Sequence, residues 1–175
     1  TNTVTFTVGG SPAQVRTQPV TPGQITSGQL TADDQITTAG DGSGRTYFFD
    51  AYSFTANAGT GIAVDVRSGL FDASVLLYKK ESDGALTLLA ADDDLGGLGD
   101  GNLDNTNSLL LTALAGGGDY VIFVTSADDN PNGVGAYTLR LTGNAIQPIS
   151  YGANLSAASI ATTDLRTSAG DYLDA

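Results

Sequence analysis

Apolar and polar residues alternate along many short stretches of the chain, and a period of two is typical of β-strands. Residues 3–8 alternate in this way, and so do residues 47–56, where both faces carry aromatic side chains and we therefore expect a central strand. Further strands are predicted at Ile25–Leu30 and at residues 62–66, 74–78, 86–90, 109–114, 120–125 and 137–141. No segment keeps a helical period over three turns. The pattern predicts an all-β fold, a jelly-roll-like antiparallel β-sandwich with N- and C-terminal strand extensions.

The intervals between these strands are rich in Gly, Pro, Asp, Asn and Thr, which are loop-forming residues. We expect a connector over residues 9–24 and a loop over residues 31–46. A chain of 175 residues suffices for one good-sized domain with extensions. The predicted organisation is therefore an N-terminal strand and linker (residues 1–24), the sandwich (residues 25–145) and a C-terminal extension (residues 146–175).

Charge narrows the classes of function. The chain carries seven basic and nineteen acidic residues, a net charge of −12, which argues against nucleic acid, where Lys and Arg neutralise phosphates. No apolar run is long enough to span a membrane. All the acids but Glu81 are Asp, which favours loops, turns and calcium sites over helix interiors. The abundance of Thr, Asp, Gly, Ala and Ser with few Lys suits an exported bacterial protein.

The absence of Cys, Met, Trp and His from the sequence removes several chemistries. Without Cys there are no disulfides, zinc–thiolate sites or thiol nucleophiles, and without His the commonest general base is missing. Carboxylate-only hydrolysis needs two acids with separated pKa values, whereas here the Asp residues cluster in glycine-rich loops. A Ser–Lys arrangement stays open. We expect that the protein is not an enzyme.

One loop, residues 91–108, concentrates oxygen ligands between two predicted strands. Carboxylates this close repel one another and raise each other's pKa, and calcium relieves the repulsion by taking six to eight oxygen ligands. Glycines let the backbone bend so that several oxygens point inward. Consecutive side chains of a strand diverge, so we expect two of the three adjacent Asp residues, with Asp100 or Asp104, to bind one ion. The candidate ligands are Asp92, Asp93, Asp94, Asp100, Asn102 and Asp104. The alternative is a solvated acidic loop without an ion.

A second oxygen-rich loop covers residues 128–133, where Asp128 and Asp129 are candidate calcium ligands. The alternative is an ordinary turn stabilised by Asp and Asn side chains. The aromatic residues at positions 47–54 are expected in the core rather than on a ligand-binding surface, because large aromatics in strands are mostly buried.

The order of the strands resembles a known family. The stretch Tyr-Phe-Phe-Asp-Ala-Tyr-Ser-Phe-Thr-Ala-Asn-Ala-Gly at residues 47–59 is similar to the opening of the bacterial pre-peptidase C-terminal (PPC) domain. Matching stretches follow in family order at residues 64–66, 71–78, 91–94, 107–110, 118–126 and 135–139. The resemblance implies a secreted jelly-roll-like sandwich that is usually appended to proteases or repeated in surface proteins. Some members bind calcium and some bind collagen or polysaccharide. This chain departs from the family in its longer acidic loop, and we expect no catalytic domain within its 175 residues.

The C-terminal extension repeats features of the start of the sandwich. Ile-Ser-Tyr-Gly at residues 149–152 parallels Ile-Thr-Ser-Gly at residues 25–28. Tyr-Leu-Asp-Ala at residues 172–175 parallels Phe-Phe-Asp-Ala at residues 48–51, and the offset is 124 residues in both cases (149 − 25 and 172 − 48). Internal repetition indicates a tandem array. Terminal strands donated to neighbouring subunits are the alternative, because head-to-tail donation builds filaments. Chance similarity between short segments stays open.

Together these observations predict a non-catalytic, calcium-stabilised extracellular module, secreted or on a bacterial cell surface, that serves assembly or adhesion. It would act in a tandem array or as a strand-exchanging subunit of a filament. Its partners would be further copies or neighbouring repeats, contacted through terminal strands, and a polysaccharide or extracellular protein is a further candidate. The alternative is a polysaccharide- or collagen-binding appendage of a secreted hydrolase.

Overall fold

The computed structural model describes residues 15–39, 42–93, 106–145, 165–166 and 172–173. Within these ranges every regular element is a strand, which confirms the all-β prediction. The strands are β1 (Gln18–Pro19), β2 (Ile25–Leu30), β3 (Gln35–Thr38), β4 (Thr46–Ala56), β5 (Thr60–Ser68), β6 (Ala73–Lys80), β7 (Leu86–Asp92), β8 (Asn107–Leu114), β9 (Gly118–Ser126), β10 (Gly135–Ala145), β11 (Leu165–Arg166) and β12 (Tyr172–Leu173). Among the described residues, no helix capable of spanning a membrane is found.

A six-stranded sheet contains β4 near its middle. The strands β7, β6, β9 and β4 follow one another antiparallel, and β3 and β1 share the far side of β4. The strand β3 pairs with residues 46–49, while β1 runs parallel to residues 52–53. Thus β4 has neighbours on both sides, as its two apolar faces predicted. The pairing of β6 with β7 contains a bulge beside Leu77.

The second sheet has four antiparallel strands in the order β2–β10–β5–β8. Its long central pair is β10 with β5, in register from Tyr137 opposite Ser68 to the end of β10. Among the described residues, β2 and β8 form the two edges of this sheet, and β7 forms one edge of the other sheet.

The main core lies between the two sheets, where alternate residues of each strand meet. In β5 the residues Ile62, Val64 and Val66 are at most 4% exposed, as their spacing predicted. From the facing sheet, β4 contributes Tyr52 and Phe54 to the same cluster. Burial of these side chains supplies the hydrophobic free energy that holds the two sheets together.

The other face of the six-stranded sheet is also apolar. Its residues form what we call the outer cluster, made of Phe49, Ala51, Tyr78, Val121 and Phe123. Phe123 stacks on Phe49 with ring centroids 4.3 Å apart and lies 4.7 Å from Tyr78. These residues alternate along β4, β6 and β9 with those that enter the core. One face of β4 is therefore aromatic because it enters the core, and the other because it belongs to the outer cluster.

Two short strands lie in segments predicted to be irregular. The expected loop at residues 31–46 contains β3, and the expected connector at residues 9–24 contains β1. Within β3 only Ile36 is apolar, and it is 44% exposed, so hydrophobic periodicity gave no signal. Pairing with the edge of β4 determines both strands, and this pairing is set by tertiary contact rather than by local pattern.

The predicted strand at residues 3–8 and most of the acidic loop lie outside the described residues. Of the C-terminal extension, β11 and β12 are described and pair with each other, Leu165 opposite Leu173. The division of the chain at residues 24 and 145 stays a prediction. Residues 18–19 nevertheless pair with the sandwich through β1.

Candidate functional site

The stem of the acidic loop joins the edges of the two sheets. The loop leaves the six-stranded sheet at Asp92, the last residue of β7, and enters the four-stranded sheet at β8. The hydroxyl of Ser108 lies 2.9 Å from the Asp92 carbonyl oxygen and 3.0 Å from Asp92 Oδ2. The Leu109 amide donates to the same Oδ2 over 2.9 Å, and Ser74 Oγ lies 3.3 Å from the Asp92 carbonyl. Asp92 therefore bridges the edge of the sandwich.

The other end of the stem is held by Asn107, which is 8% exposed. Its Oδ1 accepts a hydrogen bond from the Ser68 amide at the end of β5, 3.1 Å away, and the neighbouring carbonyl of Thr106 accepts one from the Ala73 amide at 3.2 Å. The Ser68 hydroxyl in turn donates to the Ala136 carbonyl at 3.0 Å. Both ends of the loop are thus anchored to several strands, although fourteen residues, 93–106, separate β7 from β8.

The predicted calcium ligands are distributed unevenly around this stem. Asp92 is half-buried in it, and Asp93 is exposed immediately after it. Asp94, Asp100, Asn102 and Asp104 lie outside the described residues. Among those that are described, no three acidic side chains come together to hold a metal ion. The Oδ2 atom of Asp92 accepts hydrogen bonds from the Ser108 hydroxyl and the Leu109 amide. The all-oxygen donor set of the loop suits a hard cation, and the calcium site stays a prediction.

The second loop is organised by a residue that the sequence did not single out. Asn130 makes hydrogen bonds to the start of β4 like those of a neighbouring strand. Its amide donates to the Thr46 carbonyl at 2.9 Å, and its Oδ1 accepts from the Phe48 amide at 3.1 Å. Asp128 and Asp129, the predicted ligands, are both exposed. An Asn side chain thus stabilises the turn, and calcium binding by Asp128 and Asp129 stays a prediction.

A glycine fixes the return of the same loop. A Cβ atom at Gly133 would lie 2.3 Å from Ser126 Cβ, well inside the contact distance of two carbons. The Ser126 hydroxyl accepts a hydrogen bond from the Asp128 amide at 3.0 Å. The loop therefore closes tightly on the end of β9 through its own residues.

A series of hydrogen bonds between polar side chains, which the sequence analysis missed, connects the two sheets through the core. Tyr137 of β10 donates to Asp50 Oδ2 of β4 over 2.6 Å, and the Tyr52 hydroxyl lies 2.6 Å from that of Tyr137. Because Tyr137 gives its one proton to Asp50, Tyr52 must be the donor to Tyr137. A Cβ at Gly28 would lie 2.3 Å from the Tyr137 ring, so only glycine fits there. We call Asp50, Tyr52 and Tyr137 the inter-sheet triad.

Burial dominates the electrostatics of this triad. It raises the pKa of the Asp50 carboxyl, the hydrogen bond from Tyr137 lowers that pKa in part, and the nearby Asp34 carboxylate raises it further. Burial likewise raises the pKa of the Tyr137 and Tyr52 hydroxyls. Both tyrosines are therefore neutral hydrogen-bond donors at physiological pH, and the triad serves to join the sheets.

Two features of the sequence could have indicated the triad. Asp50 is a charged residue on the strand face that also carries Phe48, Tyr52 and Phe54, and a carboxylate among aromatics needs a hydrogen-bonding partner. Gly28 interrupts β2, and glycine within a strand often marks a close approach. Neither feature identifies Tyr137, since the partners are 87 residues apart in the chain.

Lys79, near the tip of the β6–β7 hairpin, has a structural role. Its Nζ donates to the Gly117 carbonyl at 2.8 Å and lies 4.6 Å from the centroid of the Tyr120 ring. Lys79 therefore holds the turn before β9 through a hydrogen bond and a cation–π contact.

Several solved structures are similar to this fold at low sequence identity. The pre-peptidase C-terminal domain of a collagenase from Bacillus anthracis is 16% identical with a TM-score of 0.48, over 75% of this chain and 100% of that one. PliG of Aeromonas hydrophila, a periplasmic inhibitor of g-type lysozyme, is 16% identical with a TM-score of 0.46, over 73% and 96% of the two chains. CorA, a surface-associated copper-binding protein of Methylomicrobium album BG8, is 8% identical with a TM-score of 0.49, over 74% and 98%.

No protein-family model matches the chain, and no curated protein sequence matches it. A pre-peptidase C-terminal domain is among the solved structures to which the chain is similar.

Proposed function

We propose that this chain is a non-catalytic extracellular β-sandwich module that serves assembly or adhesion and is stabilised by calcium at the loop of residues 91–108. The observation that carries the proposal is the stem at Asp92 and Ser108. There the acidic loop leaves one sheet at Asp92 and enters the other beside Ser108, and these two residues are hydrogen-bonded to each other. An ion bound by that loop would reinforce the junction between the two sheets.

Electrostatics supports a cation at this place. Five carboxylates share one loop in a chain whose net charge is −12, and they repel one another unless a cation neutralises them. The stem already fixes the ends of the loop, so part of the ordering cost of building a site is met by the sandwich itself. Asp92 and Asp93 lie at the start of the loop and would be joined by ligands from residues 94–104.

The module's contacts with neighbours are proposed to run through terminal strands and exposed edges. The strand β8 offers an edge with no charged residue, no Pro and no Gly, although natural edge strands usually carry such protection. On it Leu111 is 41% exposed. A strand from a further copy or a neighbouring repeat would find backbone partners there by β-augmentation.

A polysaccharide- or collagen-binding appendage is the second candidate. Such a function favours an exposed aromatic surface. Within the described ranges the large exposed apolar side chains are all aliphatic: Ile25, Ile36, Leu70, Leu89 and Leu111. This composition suits contacts between protein strands better than stacking on sugars. A pull-down on insoluble glycans and on collagen separates the two functions.

Thermal unfolding with calcium or with the chelator EGTA tests the proposal. An ion that binds only the folded state stabilises it by about 2.7 kcal/mol at a hundred times its Kd, which raises the Tm of a chain this size by roughly 5–10 °C. Asp100→Asn with Asp104→Asn should abolish the calcium-dependent rise. Asp128→Asn with Asp129→Asn removes two carboxylates from the other loop and should leave it intact. Equal Tm values with calcium and with EGTA would remove calcium from the proposal.

A further inference from the structure

The outer cluster is an apolar surface on the side of the six-stranded sheet that faces away from the sandwich. Sheets that face water on one side normally carry polar residues there. Here Phe49 and Ala51 on β4, Tyr78 on β6, and Val121 and Phe123 on β9 make that side aromatic and aliphatic. A surface of this kind requires a cover, because contiguous apolar patches on soluble proteins mark interaction sites.

The cluster is covered. All five residues are at most 2% exposed. The partly buried residues that pack against them are Leu76, Leu86 and Leu88 of the sheet itself, together with Val15. In the described part of the chain, Val15 is the one apolar residue that reaches the cluster from outside the sheet.

The position of Val15 shows from which side the chain arrives. Next to it, Arg16 is fixed to Gln35 by two hydrogen bonds, from the Arg16 amide to Oε1 at 2.7 Å and from Nε2 to the Arg16 carbonyl at 2.9 Å. Gln35 lies opposite Phe49 in the sheet register. By Val20 the chain has passed along the edge of β4 and entered the main core. The residues that precede Val15 therefore begin beside the outer cluster.

We propose that residues 1–14 of the same chain cover the outer cluster, with Val4, Phe6 and Val8 packed on its aromatic rings. These three residues alternate with Thr3, Thr5 and Thr7, so an extended segment presents them on one side. Six extended residues span roughly 20 Å, whereas the strands β4, β9 and β6 together span about 10 Å. The segment is thus long enough to cross the cluster.

Attachment through Val15 favours the same chain as the source of the cover. A tethered segment meets its surface at an effective concentration in the millimolar range, whereas a second copy must pay the full cost of association. The proposal goes beyond the calcium loop and beyond assembly. It assigns the N-terminal segment to its own sandwich, so strand exchange with neighbours would fall to residues 149–175.

Tryptophan fluorescence in the full chain tests this assignment, because the natural sequence contains no Trp. Phe6→Trp should give blue-shifted emission that resists quenching by acrylamide, while the matched control Thr5→Trp should emit as a water-exposed indole. The sandwich core is untouched by either change. Equal exposure of the two indoles would overturn the proposal.

A second measurement identifies whether the same chain or a second copy covers the outer cluster. The triple variant Val4→Ser, Phe6→Ser, Val8→Ser should bind the dye 1-anilinonaphthalene-8-sulfonate several-fold more strongly than the natural chain, and the control Thr3→Ser, Thr5→Ser, Thr7→Ser should not. Sedimentation velocity across a wide dilution series identifies the concentration at which the natural chain is a monomer, and its dye binding should stay low there. A natural dimer that the apolar variant dissociates would mean that a second copy supplies the cover, and would overturn the proposal as made. Unchanged dye binding in the apolar variant would overturn it also.

Discussion

At the scale of single residues, the inter-sheet triad shows how a few polar atoms determine the alignment of two apolar sheets. Hydrophobic burial alone holds the sheets together without fixing how one slides over the other. The bond from Tyr137 to Asp50, at 2.6 Å, has a charged acceptor and a defined direction, and hydrogen bonds of this kind are among the stronger ones in proteins. The close approach at Gly28 leaves the Tyr137 ring little freedom.

Removing the Tyr137 hydroxyl should destabilise the sandwich. In Tyr137→Phe, the half-buried Asp50 carboxylate loses its donor and Tyr52 loses its acceptor, at a cost of about 1–3 kcal/mol. That corresponds to a fall in Tm of roughly 3–10 °C for a chain of this size. Tyr47→Phe is the matched control on β4, since the Tyr47 hydroxyl has no hydrogen-bond partner among the described residues. Equal Tm values for the two variants would contradict the role of the triad.

Asp50 should also make stability depend on pH. Its pKa is raised in the folded state above the ordinary value of 3.8, so its contribution is complete below the unfolded pKa and is lost as the pH rises through the folded pKa. We expect the free energy of unfolding in urea to fall for the natural chain, relative to Asp50→Asn, as the pH rises above the ordinary Asp pKa of 3.8. The Asn side chain still accepts the bond from Tyr137 without ionising. A difference between the two proteins that does not change with pH would contradict this assignment.

At the scale of elements, the edges of the sheets differ in how they are protected. In β7 the bulge beside Leu77 displaces Leu89 from the ladder, and bulges discourage further pairing. In β8 the amide of Leu109 is occupied by Asp92. Backbone groups in an antiparallel strand alternate in direction, so those of Leu111 and Ala113 point away from β5 as Leu109 does. The second half of β8 is the better acceptor for a further strand.

A lysine on β8 should therefore weaken self-association. Leu111→Lys places a charge on the edge, which is a natural protection against pairing, and we expect association about tenfold weaker, equivalent to about 1.4 kcal/mol. Leu89→Lys changes a similarly exposed leucine on the bulged edge and should have little effect. Sedimentation velocity measures both. A natural chain that stays monomeric at every concentration, or a larger effect from Leu89→Lys, would contradict the choice of β8.

The sequence predicts a strand when the alternation of its own residues marks it, and not when pairing with a distant strand determines it. Alternation located β5 because Ile62, Val64 and Val66 all enter the core, and it located β4 because both of its faces are buried. It could not locate β3, whose four residues contain one apolar side chain and pair along the edge of β4. The sequence places Asn130 in the oxygen-rich loop of residues 128–133 without indicating its role, because that role depends on Phe48 and Thr46, more than eighty residues away.

At the scale of the whole molecule, the sandwich combines a closed core with three surfaces of distinct character. One is the stem of the acidic loop, where Asp92 and Ser108 join the two sheets. Another is the outer cluster, which requires a cover. The third is the free half of β8. The sequence predicted an acidic loop at residues 91–108 but not the junction that its stem forms between the sheets, and the outer cluster became visible only when β4, β6 and β9 were placed side by side.

Calcium titration by isothermal calorimetry tests the central claim most directly, because it measures binding itself rather than its consequence for stability. After removal of bound ions with EGTA, the natural chain should give a saturable heat of calcium binding. Asp128→Asn with Asp129→Asn should retain this heat, and Asp100→Asn with Asp104→Asn should lose it. The absence of any saturable heat in the natural chain, or its survival in the variant of the acidic loop, would contradict the account.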